Sequence, residues 1–176
     1  MENNVMGCLH VICGGGKGKT SAAVGMAARA AGIGLRVHMA QFLKDGTSGE
    51  VNALRQLGVT VSAVGGRYGF TWELSAQQRQ ALTQEHDRLL CEAAAFMEGG
   101  GLLILDELSA AYNESLLDAR LVERILDAHR ERACEVVITG RDPARLFLDR
   151  ADYISELACV RHPYTHGQEA RLGIEF

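Results

Sequence analysis

The chain has 176 residues, enough for one well-buried core and short for two, so a single domain over residues 1–176 is expected. Apolar residues make up 47% and charged residues 23%, which excludes disorder, and the net charge of −4 argues against a general nucleic-acid binder. No apolar run approaches the length of about eighteen residues that a membrane span needs, and the acidic, polar start MENNVMGCLH lacks the order of a signal peptide, so a cytoplasmic protein is expected.

In chain order, the first strand is predicted at Cys8–Cys13 and opens directly into GGGKGKTS and an alanine-rich helix over Lys19–Ala31. A strand at Leu35–Gln41, a helix near Glu50–Leu57 and a strand at Val59–Val64 follow. The helix over Ala76–Met97 is well marked. Ser75 and Gln78 form a capping-box pattern, and Leu82, His86, Leu89, Ala93 and Phe96–Met97 keep one face apolar. Beyond it come a strand at Leu102–Asp106, a helix over Leu116–Arg130 opened by Ser115, and a strand at Glu135–Thr139. A helix over Pro143–Asp149 capped by Asp142 and a strand at Tyr153–Leu157 complete the pattern. Several strands are continuously apolar, as in parallel strands buried on both faces. The fold class is therefore α/β, a doubly wound, mainly parallel sheet with helices on both faces, P-loop NTPase-like, with its ligand at the carboxyl ends of the strands. The five cysteines are scattered without a C-x-x-C pair, so neither a disulfide framework nor a zinc site is implied; His10 and His38 read as packed strand residues.

Two strand ends carry chemistry. Gly14, Gly15, Gly16 and Gly18 leave backbone amides free to face an anion, and the helix behind them adds its unpaired N–H groups and the positive end of its dipole. Lys19 reaches terminal phosphates and the Thr20 hydroxyl suits Mg2+, as in any G-K-[ST] loop, although Cys13 stands where the usual signature has glycine. In GLLILDELS, Asp106 and Glu107 end an apolar strand at the same sheet edge. Alone they could equally start a helix; beside Lys19 and Thr20 they suit a hard cation that prefers oxygen. Arg141, after a strand in TGR, suits a phosphate or a structural ion pair. A hydrolytic ATPase or small-molecule kinase, and a non-catalytic carrier, are the alternatives at this point.

Further along lie QFLK (Gln41–Lys44), GFTWE (Gly69–Glu73), ADYISEL (Ala151–Leu157) and RHPYTHGQEARLGIEF (Arg161–Phe176). Together with GGGKGKTSAAVGMAARAAGIGLRV and LILDEL, and in this order over nearly the whole chain, these segments resemble the ATP:corrinoid adenosyltransferases, the cob(I)yrinic acid a,c-diamide adenosyltransferase family. The resemblance implies transfer of the 5′-deoxyadenosyl group of ATP to a Co(I) corrinoid with release of triphosphate. The phosphate loop would then hold a leaving group. It implies ATP binding by Gly14, Gly15, Gly16, Lys17, Gly18, Lys19, Thr20, Ser21 and Arg141, with Mg2+ on Thr20, Asp106 and Glu107. It implies corrinoid binding by Gln41, Phe70, Trp72 and His162, with Lys19, Phe70 and Trp72 catalytic, the two aromatics excluding an axial ligand from cobalt. His166, like His162, is expected to contact substrate or hold structure, not to ligate cobalt. Gly15 departs from the polar residue, often asparagine, common in the family, and Arg161 replaces a usual lysine. A homodimer and an electron-donating flavoprotein are the implied partners, with no nucleic acid and no membrane.

Overall fold

The computed structural model describes residues 7–66, 68–69 and 71–174. Six strands, β1 (Leu9–Cys13), β2 (Val37–Gln41), β3 (Thr60–Ala63), β4 (Gly101–Asp106), β5 (Cys134–Thr139) and β6 (Tyr153–Glu156), form one sheet in the order β3-β2-β4-β5-β1-β6. Every adjacent pair is parallel, so each connection must cross over through a helix. The crossovers are α1 (Lys19–Gly32), α2 (Gly49–Gln56), α3 (Ala76–Met97), α4 (Leu108–Asn113), α5 (Ala119–Ala128) and α6 (Arg145–Arg150).

Strand alternation divides the core into two layers. On one face Ile12, Met39, Leu102, Ile104 and Val137 meet Ala23, Ala27 and Ala30 of α1 and Leu54 of α2. On the other, Leu9, Val11, Ala40, Leu103, Leu105, Val136 and Ile138 meet Leu82, Leu89 and Ala93 of α3, Ile125 of α5 and Phe147 of α6. The buried stripe of α1 is all alanine beyond Lys19, so the helix axis lies close to the sheet. β6 is different: all four of its residues are exposed at the sheet edge.

The sheet and its helices on both faces match the expected class. The capping box also forms, with Ser75 N–H donating to Gln78 Oε1 at 2.9 Å and Gln78 N–H donating to Ser75 Oγ at 3.3 Å. The helix expected over Leu116–Arg130 does not form as one piece. Ser115 takes a left-handed φ of 53° that ends the unexpected α4, and α5 begins only after Asp118, whose carboxylate accepts the Arg120 N–H at 2.8 Å. A carboxylate cap thus prevails over the serine three residues earlier. Likewise α6 starts after Ala144, not at Pro143, while the Asp142 carbonyl accepts Asn113 Nδ2 at 2.6 Å. β2 begins at Val37, leaving Leu35 exposed.

Candidate active site

The site lies where β2, β4, β5 and β1 end. Their register sets Gln41 beside Asp106, Leu105 beside Ile138 and Ile12 beside Thr139, so Gln41, Asp106 and Thr139 form a row of polar side chains at the ends of three apolar strands. Asp106 is at its centre and has no exposed surface. Its Oδ1 accepts Thr20 Oγ1 at 2.9 Å and Thr139 Oγ1 at 2.7 Å; its Oδ2 accepts Lys44 Nζ at 2.7 Å and, at 3.4 Å, Gln41 Nε2. A buried carboxylate demands such pairing, because a charge removed from water without it is costly.

The phosphate loop reaches this cluster from β1. Gly18, with φ 115°, turns the chain into α1 in a conformation that L side chains rarely adopt. Gly16 admits no side chain either: a Cβ there would lie 2.6 Å from the Leu157 carbonyl oxygen and 2.8 Å from that of Ala158. The Gly16 N–H donates to Leu157 O at 2.7 Å and the Gly14 N–H to Arg141 O at 3.0 Å, which ties the loop to the segments after β6 and β5. The first turn of α1 brings N–H groups that have no partner inside the helix. Lys19, itself buried, donates through Nζ to Gly14 O at 2.8 Å and Gly16 O at 2.9 Å, and so shapes the loop it belongs to. Gly15 is open: a Cβ at that position would have Cys159 Cβ as its nearest neighbour, at 3.9 Å.

Glu107 follows Asp106 in a left-handed conformation with φ 61°, its N–H donating to Thr139 Oγ1 at 2.9 Å. Burial pushes its carboxyl above the usual range and the charge of Asp106 adds to this, while Lys44, Lys19 and Arg141 oppose it. Cys13 is buried at the end of β1; burial raises its thiol, and the charge of Glu156 raises it further, so it packs as a small hydrophobe.

Beside the cluster opens a cleft of about 790 Å³, lined among others by Thr20, Ser21, Lys44, Glu50, Tyr68 and Ile174. Its floor is held by an unusual joint. Leu43 has φ 58°, and its N–H donates to His86 Nε2 at 3.1 Å, while His86 Nδ1 lies 2.8 Å from Leu116 O. The N–H of Leu43 can only donate, so Nε2 accepts and the ring is neutral with its proton on Nδ1. Burial correspondingly holds the His86 pKa below its ordinary range.

The strand ends thus bring together Gly14–Ser21, Asp106 and Glu107. Gln41 is fully buried and presents no surface to a ligand; its amide serves Asp106 and, at 3.0 Å, Glu50 Oε1. Its side chain thus lies beneath the carboxylate, between Asp106 and Glu50. Arg141 is exposed at the end of β5. Trp72 lies on a 3₁₀ turn (Thr71–Glu73) and is 75% exposed, so it is not a core residue. Phe70 lies outside the described residues. His162 is apart from the cleft, in a separate hollow of about 70 Å³ with Pro163 and Tyr164, and its Nδ1 accepts the Tyr164 N–H at 3.2 Å. His38 is packed as expected, against Phe96 with Nε2 3.1 Å from Ser62 Oγ, and His10 stacks on Tyr153 with Nε2 2.5 Å from Glu135 Oε1. Lys44, Thr139 and Glu50 are the residues that sequence reasoning missed. Lys44 ends QFLK and Thr139 opens TGR, but only strand register shows that both meet Asp106.

Taken together, these strand ends join a glycine-rich loop at the start of α1, a buried lysine within it and a buried carboxylate beside it. They define a phosphate-loop α/β protein of the nucleotide-binding class. Within that class, the chain belongs to the ATP:corrinoid adenosyltransferase family BtuR/CobO/CobP, whose family model matches residues 5–176. It is 39% identical over 179 residues to the corrinoid adenosyltransferase CobA of Salmonella typhimurium, covering 97% of this chain and 86% of that one. The corrinoid adenosyltransferases of Escherichia coli K12 and Pseudomonas aeruginosa are 37% and 35% identical, each over 97% of this chain and over 86% and 84% of their own length. Among solved structures, the KaiC-like protein PH0186 of Pyrococcus horikoshii is similar at a TM-score of 0.48 and 16% identity, covering 87% of this chain and 73% of that one.

Proposed function

We propose that this chain performs its family's reaction at the strand-end site, as a single domain: the 5′-deoxyadenosyl group of ATP passes to the cobalt of a Co(I) corrinoid in cobalamin biosynthesis or salvage. The electron pair of Co(I) forms the bond to C5′, the C5′–O bond breaks, and triphosphate leaves with its electron pair. The observation that carries this reading is the juxtaposition of Lys19, Thr20 and the buried Asp106 with an open cleft, in a chain of this family.

The substrate corrinoid supplies the nucleophile, so the protein's task is to bind, orient and neutralise. Lys19 leaves the loop carbonyls for the triphosphate and, with the amides at the start of α1, stabilises the charge that develops as C5′ departs. Lys17, Ser21 and Arg141 are the further phosphate contacts. Thr20 and Asp106, with Glu107, fit Mg2+ that arrives on ATP. They are hard oxygen donors, and among the described residues no group of three or more His, Cys, Asp or Glu could hold a metal alone. When bound, magnesium supplies charge neutralisation of the triphosphate. Gln41 and Thr139 orient Asp106 from below.

Trp72, and Phe70 with it, cover the cobalt face and exclude water or a nitrogen ligand; the exposure of Trp72 supports a ligand contact over core packing. His162 holds the turn before the C-terminal segment as a substrate-side contact. A small chain must take both ATP and a bulky corrin, so a second copy of the chain completes the site as a homodimer, and a flavoprotein supplies the electrons for Co(I). No described helix is long and apolar enough to cross a membrane, and a cytoplasmic setting fits the five free cysteines. The test is anaerobic incubation with ATP, Mg2+ and chemically reduced cobalamin. Triphosphate and an organometallic corrinoid in equal amounts are expected; ADP and phosphate instead would overturn the reading in favour of a kinase or ATPase.

A further inference from the structure

Lys44 is a cation of the cluster to which the reaction above gives no task. Its ammonium lies 2.7 Å from Asp106 Oδ2, 3.4 Å from Thr20 Oγ1 and 3.8 Å from Glu50 Oε1. Thr20 gives its hydroxyl proton to Asp106 Oδ1, so its lone pairs remain for a positive neighbour, and Lys44 Nζ is that neighbour. Lys44 thus stands between the two oxygens that would receive a divalent cation.

We propose that the Lys44 ammonium is a resident cation that fills the divalent-metal seat of Thr20 and Asp106 until nucleotide arrives, making metal entry conditional on ATP. This rests on the assignment of Thr20 and Asp106 as that seat. Three features of the chain support the device. The Lys44 backbone is fixed, because the Phe42 N–H donates to Asp106 O at 2.9 Å, the Leu43 N–H to His86, and the Lys44 carbonyl accepts the Val64 N–H at 3.2 Å. The side chain is not buried with its partner: it is 30% exposed whereas Asp106 is fully enclosed, so the flexible stem can leave and the carboxylate cannot. Its exit is also provided, since Glu50, which lines the same cleft, already lies at ion-pair distance.

The physical logic is competition between like charges. A divalent ion and an ammonium cannot share Asp106 Oδ2 at short range, so free Mg2+ must expel Lys44. The metal–nucleotide complex brings phosphate charge to which a displaced ammonium turns, and so it enters more easily than the bare ion. Without Lys44 the empty protein would carry an uncompensated buried carboxylate and would take up a bare cation in its place.

Binding of Mn2+ to nucleotide-free protein, followed by electron paramagnetic resonance, tests this without turnover. K44M is expected to bind free Mn2+ at least about tenfold more tightly than the unchanged protein, as removal of a like charge at this range requires. K44Q, which keeps a hydrogen-bond donor without charge, should show the same gain and guards against misfolding of K44M. D106N in the K44M background should abolish it. Free Mn2+ affinity in K44M and K44Q equal to that of the unchanged protein would overturn the proposal. Mn2+–ATP measured in parallel separates the underlying assignment: unchanged protein that binds it no better than D106N would overturn the seat itself.

Discussion

The strand-end site and the exposed turns of the chain are built by opposite means. At the strand ends, Asp106, Gln41 and Thr139 have no exposed surface, and four donors converge on one carboxylate. Elsewhere, on turns and a C-terminal segment without strands, Trp72, Tyr164 and Leu172 stand at 75%, 75% and 81% exposure. Strand ends fix a compact charged ligand before it arrives, and pre-organised donors are what a leaving triphosphate requires. A broad macrocycle such as a corrin instead needs contact area, which exposed side chains on turns can offer.

The contrast can be broken or sharpened by substitution. The largest effect is expected from Lys19→Ala, which removes the cation proposed to stabilise the leaving group. Turnover should fall roughly 10²–10³-fold, about 3–4 kcal/mol of barrier, with folding retained. Near-normal initial rates of the purified variant in the anaerobic assay would contradict it. Next come two neighbouring glycines with opposite expectations. Gly16→Ala puts a methyl 2.6 Å from a carbonyl oxygen and should destabilise by about 1–3 kcal/mol. Gly15→Asn meets open space and should leave the stability from urea denaturation within about 0.5 kcal/mol of the unchanged protein. Similar urea midpoints for the two variants would show that the loop is not held by the Leu157 contact.

Trp72→Ala separates the two regions directly. Its exposure predicts a stability change within about 0.5 kcal/mol. Corrinoid-dependent rate should nevertheless fall, roughly up to tenfold, as loss of an aromatic contact worth about 0.5–1.5 kcal/mol implies. ATP affinity by calorimetry should hold, and a matching loss there would erase the division. The smallest effect concerns pH. The His86 pKa is depressed by burial from its ordinary value of 6.5, so its stability contribution is complete above that pH and is lost as pH falls through the lowered folded value. Denaturation of the unchanged protein at decreasing pH should therefore weaken more steeply than that of His86→Gln. His38, also depressed by burial, contributes in the same direction in both proteins.

What could be read from the sequence follows the same division. The phosphate loop and the Asp106 strand are local, short-range patterns, with composition and spacing tied to a single element, and both form as expected. Partners set by register across the sheet are not local: nothing within QFLK shows that Lys44 turns to Asp106, which is 62 positions away. Nor is the break between α4 and α5 visible, because Ser115 and Asp118 are both acceptable caps and tertiary packing of Leu116 and Leu117 decides between them. Gln41 is legible as a strand-end polar residue, but its complete burial is not.

The alanine stripe of α1 has a consequence for the reaction centre at its far end. Because Ala23, Ala27 and Ala30 are the helix's buried apolar contacts, with Val24 and Met26 half-buried beside them, small side chains at its centre set how deeply that helix beds down. The height of its leading amides, and with it the depth of the anion's seat, is therefore fixed by packing along the shaft. A bulkier residue under the helix would lift the cradle off its carboxylate without touching any group that meets substrate.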